Sequence, residues 1–268
     1  MDIIKKVLYE DDRTVIYGLK DNNKEVIKKL YLDKKVINFY KDNGEVLFEI
    51  TKHKNLCHYI EYFFENEIHY IKMEKMNGCD LFDYINKKSY SKKFIINIVK
   101  NILKALIHLN DNGYIHCDVK SENIRICENN EIKLFDYDLM EKITSTTKIA
   151  KGTIGYMAPE MFINENQKTF YTEYHTNADI WSLGVTLYNC LVKKDYFSNN
   201  MEKYIRELDR FNIDDALRNI WKKDCQILLT DMLIKSEKIR PTPKEFYKKH
   251  EHILDDSFLS ILLDKFHI

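Results

Sequence analysis

Glycine and proline are scarce, seven and three in 268 residues, and the chain has no internal repeat and no low-complexity tail, which excludes repeat architectures. Net charge is also missing. The 42 basic residues balance 42 acidic ones, so no global field draws the chain to nucleic acid or to a membrane surface. Nowhere do 18 apolar residues run together, and the opening MDIIKKVLYEDD has no apolar core of signal-peptide length. No membrane partner is expected, and an intracellular, cytoplasmic setting is, with the nucleus left open. The six cysteines (57, 79, 117, 127, 190 and 225) form no Cys-x-x-Cys pair, and so read as reduced thiols rather than a disulfide frame or a zinc site. His53, Cys57 and His58 lie close together but match no metal-ligand spacing.

What is present falls into two halves of different period. TVIYGLK, EVIKKLYL, YIEYFF and IHYIKME alternate apolar and polar residues between polar turns, which argues for antiparallel strands. One helical candidate, NGEVLFEITKH, interrupts them. Beyond NGCD the period lengthens. Phe94, Ile95, Ile98, Ile102, Leu106 and Leu109 recur at helical steps and form one apolar stripe, in a long helix that stops at Gly113. NIRIC and EIKLF read as a short strand pair, and ADIWSLGVTLYNCLV is apolar on nearly every face, as a helix buried all round must be. The expected fold is α+β in a single domain over 1–268. It has a small antiparallel sheet lobe with one main helix (1–75), a link over 76–80, and a larger, mostly helical lobe (81–268).

Four stretches carry chemistry. YIHCDVKSENIRI (114–126) sets an acid, a cation and an amide on a loop between the long helix and a strand pair. KLFDYDLM (133–140) places another aspartate just after a strand. GTIGYMAPE (152–160) and DIWSLG (179–184) follow. In this order and spacing they resemble the eukaryotic-type protein kinase family, and the resemblance covers nearly the whole chain.

That resemblance implies ATP, magnesium with manganese as the substitute, and a protein substrate bearing a serine or threonine hydroxyl. Phosphoryl transfer asks the protein to hold metal ions, position a hydroxyl and screen charge. The resemblance assigns Asp118 to the substrate hydroxyl proton and Lys120 to the moving phosphoryl group. Asn123 and Asp136 become the oxygen ligands of magnesium. Lys28, in EVIKKL, would reach the first two phosphates. Its partner glutamate on the following helix falls on Gly44 by direct register. A one-residue deletion brings Glu45 into place, with Glu49 one turn later in reserve. Met73 would guard the back of the adenine pocket, and Glu74 and Met76 would offer backbone groups to the base. Lys120 and Thr153 fit the serine/threonine class. Glu160 should pair with Arg240, and Asp179 should accept backbone N–H groups of the catalytic loop.

The chain departs from the family pattern in three places. Leu8, Glu10 and Arg13 stand at the three glycine positions of the phosphate loop, with Asp11 and Asp12 at its tip. Side chains there hold the loop away from phosphate. Two like charges about 6 Å apart at an effective dielectric near 20 repel by about 3 kcal/mol before screening, which lowers nucleotide affinity. Asp138 replaces a glycine of the metal loop, and its charge either adds a metal ligand or repels phosphate. Cys117 stands where many relatives use an arginine to clamp a phosphorylated activation loop.

An active serine/threonine kinase is the leading expectation and a pseudokinase binding module the rival. Small-molecule kinases generally lack GTxxYxAPE. Control is expected from a regulatory protein partner or from expression. Because a thiol cannot clamp a phosphate, alanine at Thr144, Ser145, Thr146 and Thr147 together should leave basal kinase activity within a few-fold of the parent. Near-total loss in that variant contradicts this.

Overall fold

The computed structural model describes residues 4–10, 15–19, 25–30, 34–143, 146–147, 151–161, 172–173, 175–220 and 222–255. The alternating stretches form a five-stranded antiparallel sheet: β1 (Ile4–Glu10), β2 (Val15–Leu19), β3 (Glu25–Leu30), β4 (Tyr59–Glu65) and β5 (Ile68–Glu74), in the order β1-β2-β3-β5-β4. The β4–β5 hairpin turns at Asn66 and Glu67, both left-handed (φ 50 and 61), as the right-handed twist of a tight hairpin requires.

Between β3 and β4 runs α1, Lys34–Ile50. It starts nine residues before the helical stretch expected from the sequence. Its inward stripe, Ile37, Tyr40, Asn43, Leu47 and Ile50, contains a polar residue that obscured the pattern. Asn43 is satisfied inside: its amide donates to the Phe39 carbonyl (2.8 Å) and its oxygen accepts from the Tyr114 hydroxyl (3.1 Å).

The second half is helical, as expected. Strand β6 (Gly78–Asp80) enters it, followed by α2 (Leu81–Lys87) and α3 (Lys92–Asp111). Ser91 caps α3 by accepting the Phe94 N–H (3.1 Å), and Gly113 ends it in a left-handed turn (φ 84). Then come β7 (Tyr114–Ile115), β8 (Ile124–Cys127), β9 (Ile132–Leu134) and β10 (Glu141–Lys142). Strands β6, β8 and β9 form one sheet, and β10 pairs with β7. Residues 78–80, counted with the link in the sequence, therefore pair with the larger lobe. Gly78 is required there, because a Cβ would lie 2.1 Å from the Ile126 carbonyl oxygen.

Helix α4 (Ala178–Val192) is buried on every face from Ala178 through Cys190. Its Trp181 is fully enclosed, and the Arg240 guanidinium lies over the ring, 5.3 Å from its centroid. Arg240 has no exposed side-chain surface. It grips Glu160 with two parallel bonds (2.7 and 2.9 Å) and donates to the carbonyls of Ile234, Lys235 and Asn177. That grip joins two loops eighty residues apart in sequence. Removing one partner leaves the other charge buried and unpaired, so Glu160→Ala should lower unfolding free energy by about 3–5 kcal/mol in urea titration. A loss below about 1 kcal/mol, the range of a surface pair, would contradict the pair's structural role.

Candidate active site

Strand β3 delivers Lys28 to the junction of the lobes, where it is 8% exposed. Its Nζ donates to Asp136 (2.9 Å) and to Asp138 (2.8 Å), residues from the loop after β9 in the other lobe. Burial alone would lower the lysine's pKa, but the two carboxylates overcome it and hold the ammonium above the usual lysine range. Asp136 is half-buried; desolvation pushes its carboxyl up, yet Lys28 overrides that and holds it below the usual range. Asp138 moves the other way: burial, with Asp136 beside it, raises it despite Lys28. Tyr40 of α1 donates its hydroxyl to the second Asp138 oxygen (2.7 Å), and burial followed by the Asp138 charge keeps that hydroxyl protonated.

The expected helix glutamate is not there. Glu45 is exposed, and Glu49 pairs with Lys52 on the surface (2.8 Å). The inward turn of α1 carries Tyr40 and Asn43 instead. At Gly44, the position of direct register, a Cβ would lie 3.1 Å from the Tyr59 hydroxyl, so the Tyr59 ring occupies the space a longer side chain would need. Tyr40 stacks on that ring (5.7 Å).

On the opposite wall the loop after β7 holds the acid, cation and amide together. Asp118 Oδ2 accepts from Lys120 Nζ (2.9 Å) and from the Asn123 amide (2.8 Å), and Oδ1 accepts from the Thr153 hydroxyl (2.6 Å). Lys120 also donates to the Thr153 oxygen (2.7 Å). Thr153 reaches this loop because Gly152 precedes it at φ 137, where a Cβ would stand 2.9 Å from the Cys117 carbonyl oxygen.

The loop is clamped from below. Asp179, in the first turn of α4, accepts the N–H groups of His116 (2.8 Å) and Cys117 (2.9 Å), as the sequence led us to expect. Cys117 is left-handed (φ 66), a conformation that costs a non-glycine residue about 1–3 kcal/mol and persists where surroundings enforce it. His116 Nδ1 accepts the Asp118 N–H (3.3 Å) and Nε2 faces the Phe135 carbonyl (3.1 Å), so hydrogen on Nε2 satisfies both. Asp136 is left-handed as well (φ 68).

Met73 is half-buried, opposite Val26 of β3 and Tyr59 of β4. The Glu74 carboxylate binds Lys133 Nζ (2.7 Å) and the His58 N–H (2.8 Å), and its own N–H goes to the His58 carbonyl (2.9 Å). Arg125 Nε donates to the Met76 carbonyl (3.3 Å). The structure thus brings Lys28, Asp118, Lys120, Asn123 and Asp136 to one junction, and it leaves Glu45 out. Leu8 and Glu10 are exposed on β1, while Asp11, Asp12 and Arg13 lie outside the described residues, as do Thr144 and Ser145. Tyr40 went unread in the sequence, where one tyrosine among 18 carries no signal.

Among the described residues no cluster of three or more His, Cys, Asp or Glu side chains could hold a metal ion by itself. Asp136 and the Asn123 oxygen nevertheless fit magnesium. That ion takes one or two protein oxygen ligands and fills its shell with water and phosphate.

A sheet lobe and a helical lobe meeting at an ion-paired lysine, above a loop that presents an acid, a cation and an amide, define a phosphotransferase-like fold. The family model described as protein kinase domain matches residues 9–253, and the chain belongs to that family. It is similar to the serine/threonine-protein kinase Nek1 of Mus musculus, 28% identical over 222 residues, which is 80% of this chain and 17% of Nek1. To Nek5 of Homo sapiens it is 26% identical over 242 residues, 87% of this chain and 33% of Nek5. To shk1/pak1 of Schizosaccharomyces pombe it is 32% identical over 164 residues, 59% of this chain and 24% of that protein. The chain spans a third or less of the length of these relatives.

Cys117 is 9% exposed, and burial pushes its thiol well above the ordinary cysteine range. Cys79 is half-buried on β6. Iodoacetamide at about pH 8, where thiolate decides rate, should label Cys79 and leave Cys117 unmodified in the folded protein. Labelling of Cys117 at the rate of Cys79 contradicts its burial.

Proposed function

We propose that this chain is an active serine/threonine protein kinase domain that transfers the γ-phosphoryl group of ATP to a protein hydroxyl. The observation that carries this reading is the bonded set Asp118, Lys120, Thr153 and Asn123 facing the Lys28–Asp136 pair.

Asp118 sits where it can orient a serine or threonine hydroxyl and take its proton as the oxygen forms its bond to phosphorus and the bond to ADP breaks. Lys120, already between Asp118 and Thr153, screens the transferred group. Thr153 ties the loop that would receive the substrate peptide to the catalytic acid, a contact suited to the serine/threonine class. Lys28 is aimed at the phosphates. The Glu74 carbonyl and the Met76 amide are the backbone groups offered to the base, and Met73 stands behind it. Asp136 and Asn123 would hold a divalent cation, magnesium or manganese, which neutralises phosphate charge when bound.

Near Cys117, the described residues of the activation segment are held by contacts that need no phosphate. Lys151 pairs with Glu141, and β10 pairs with β7. This supports activity independent of phosphorylation through that contact. The pseudokinase reading draws on the acidic residues at the phosphate-loop positions and on Asp138, to which the structure adds the absence of a carboxylate from α1 beside Lys28. We further propose a single domain over 1–268, an intracellular setting, and control by a protein partner.

The test is incubation with labelled ATP, magnesium or manganese and a generic basic protein, beside Asp118→Asn. Loss of a catalytic base removes about 10²–10⁴-fold in rate, so incorporation should vanish in the variant. No incorporation with either metal, together with no thermal shift from nucleotide, would favour the binding module.

A further inference from the structure

A buried lysine in a phosphotransferase cleft needs a carboxylate that stays with it, since Asp136 is the one the kinase reading assigns to a cation. In this fold α1 offers none: Glu45 is exposed, Glu49 is paired to Lys52, and the Gly44 position is closed by Tyr59. Asp138 fills the gap from the other lobe. Its Oδ2 lies 2.8 Å from Lys28 Nζ and its Oδ1 2.7 Å from the Tyr40 hydroxyl, so both carboxylate oxygens are engaged. Asp138 does not share the left-handed backbone of Asp136, so nothing in the chain's path demands glycine there.

We propose that Asp138 is the positioning residue for Lys28, in place of a glutamate on α1, and that Tyr40 couples the placement of α1 to Lys28 through Asp138. The charge at the glycine position of the metal loop is then a relocated anchor rather than a liability toward phosphate or a third cation ligand. Helix α1 acts on the lysine through a neutral hydroxyl. The inference rests on the kinase reading for its catalytic consequence, but not for the contact itself.

The contact is tested without nucleotide. Lysine acylation by a water-soluble succinimidyl ester, quantified by mass spectrometry, reads how firmly Lys28 is held. In the wild type Lys28 should react more slowly than exposed Lys52. Asp138→Gly and its near-isosteric alternative Asp138→Asn should speed it by about tenfold, because one of the two charge-assisted hydrogen bonds that hold the ammonium is lost or weakened, with Tyr40→Phe in between. An unchanged Lys28 rate in both Asp138 variants, each shown to be folded by circular dichroism, overturns the proposal.

The consequence is tested by steady-state kinetics with magnesium and ATP. Asp138→Gly, which restores the family's residue, should lower kcat by about tenfold or more, that is about 1.4 kcal/mol in the barrier, with KM for ATP within a few-fold. Higher kcat/KM in that variant would mean Asp138 is an electrostatic liability, and the proposal fails. Adding Tyr40→Phe to Asp138→Gly should cost nothing more, and an additive loss overturns the role given to Tyr40. A wild type that binds no nucleotide would sink the kinase reading alone, since the labelling arm still decides which carboxylate holds Lys28.

Discussion

One ammonium holds the two halves of this protein in register. Lys28 on β3 is bound to Asp136 and Asp138, 108 and 110 residues further along. A buried charge left unpaired costs several kcal/mol, so each lobe must present its partner wherever the other lobe places the lysine. The geometry of the cleft follows from that constraint. The metal loop is drawn toward the sheet, Asp138 is turned upward into reach of Tyr40, and α1 is tied in by a hydroxyl rather than by a salt bridge. The two carboxylates share one cation, which leaves the junction one negative charge in excess. A divalent cation at Asp136 would correct that excess, so the site is electrostatically prepared for the metal its family uses.

The opposite wall is rigid for a different reason. Helix α4 is enclosed on all sides, and from its first turn Asp179 holds two consecutive backbone N–H groups of the loop above. That grip keeps Cys117 left-handed and aims Asp118 outward, toward Lys120, Asn123 and Thr153. The same helix carries Trp181, over which Arg240 lies as it grips Glu160. Scaffold and site are thus mechanically continuous: loop strain is enforced by a buried acid, and that acid by a buried helix. A thiol at Cys117 cannot clamp a phosphate, and among the described residues the Lys151–Glu141 pair and the β7–β10 pair hold the two sides of the following segment.

Much of this was legible in the sequence, because each motif has a local cause. Period-two strands, the apolar stripe of α3 and the all-round burial of α4 follow from residue type and spacing, whereas the pairings of Glu160 with Arg240 and of Asp179 with the catalytic loop were implied by the family resemblance. The failures have a common cause too. The apolar pattern of α1 is broken on its inward face by Asn43, whose amide bonds within the helix to the Phe39 carbonyl and whose oxygen is satisfied by Tyr114 from another element. Glu45 was expected to meet Lys28 because helix register was counted along the chain, whereas facing direction is set by packing. Packing leaves Glu45 exposed, and the Tyr59 hydroxyl lies against Gly44, the position of direct register. For Asp138 the sequence left open a metal ligand or a repulsive charge, and the structure shows a third option, a lysine partner, visible only once both lobes are folded together.

The most direct test of this account is a crystal structure of the chain with magnesium and a non-hydrolysable ATP analogue. It should show Lys28 Nζ bonded to both a phosphate oxygen and Asp138, with Asp136 and Asn123 on the cation and Tyr40 still donating to Asp138. Asp138 found among the ligands of the cation, or Lys28 paired with a carboxylate of α1, would contradict it.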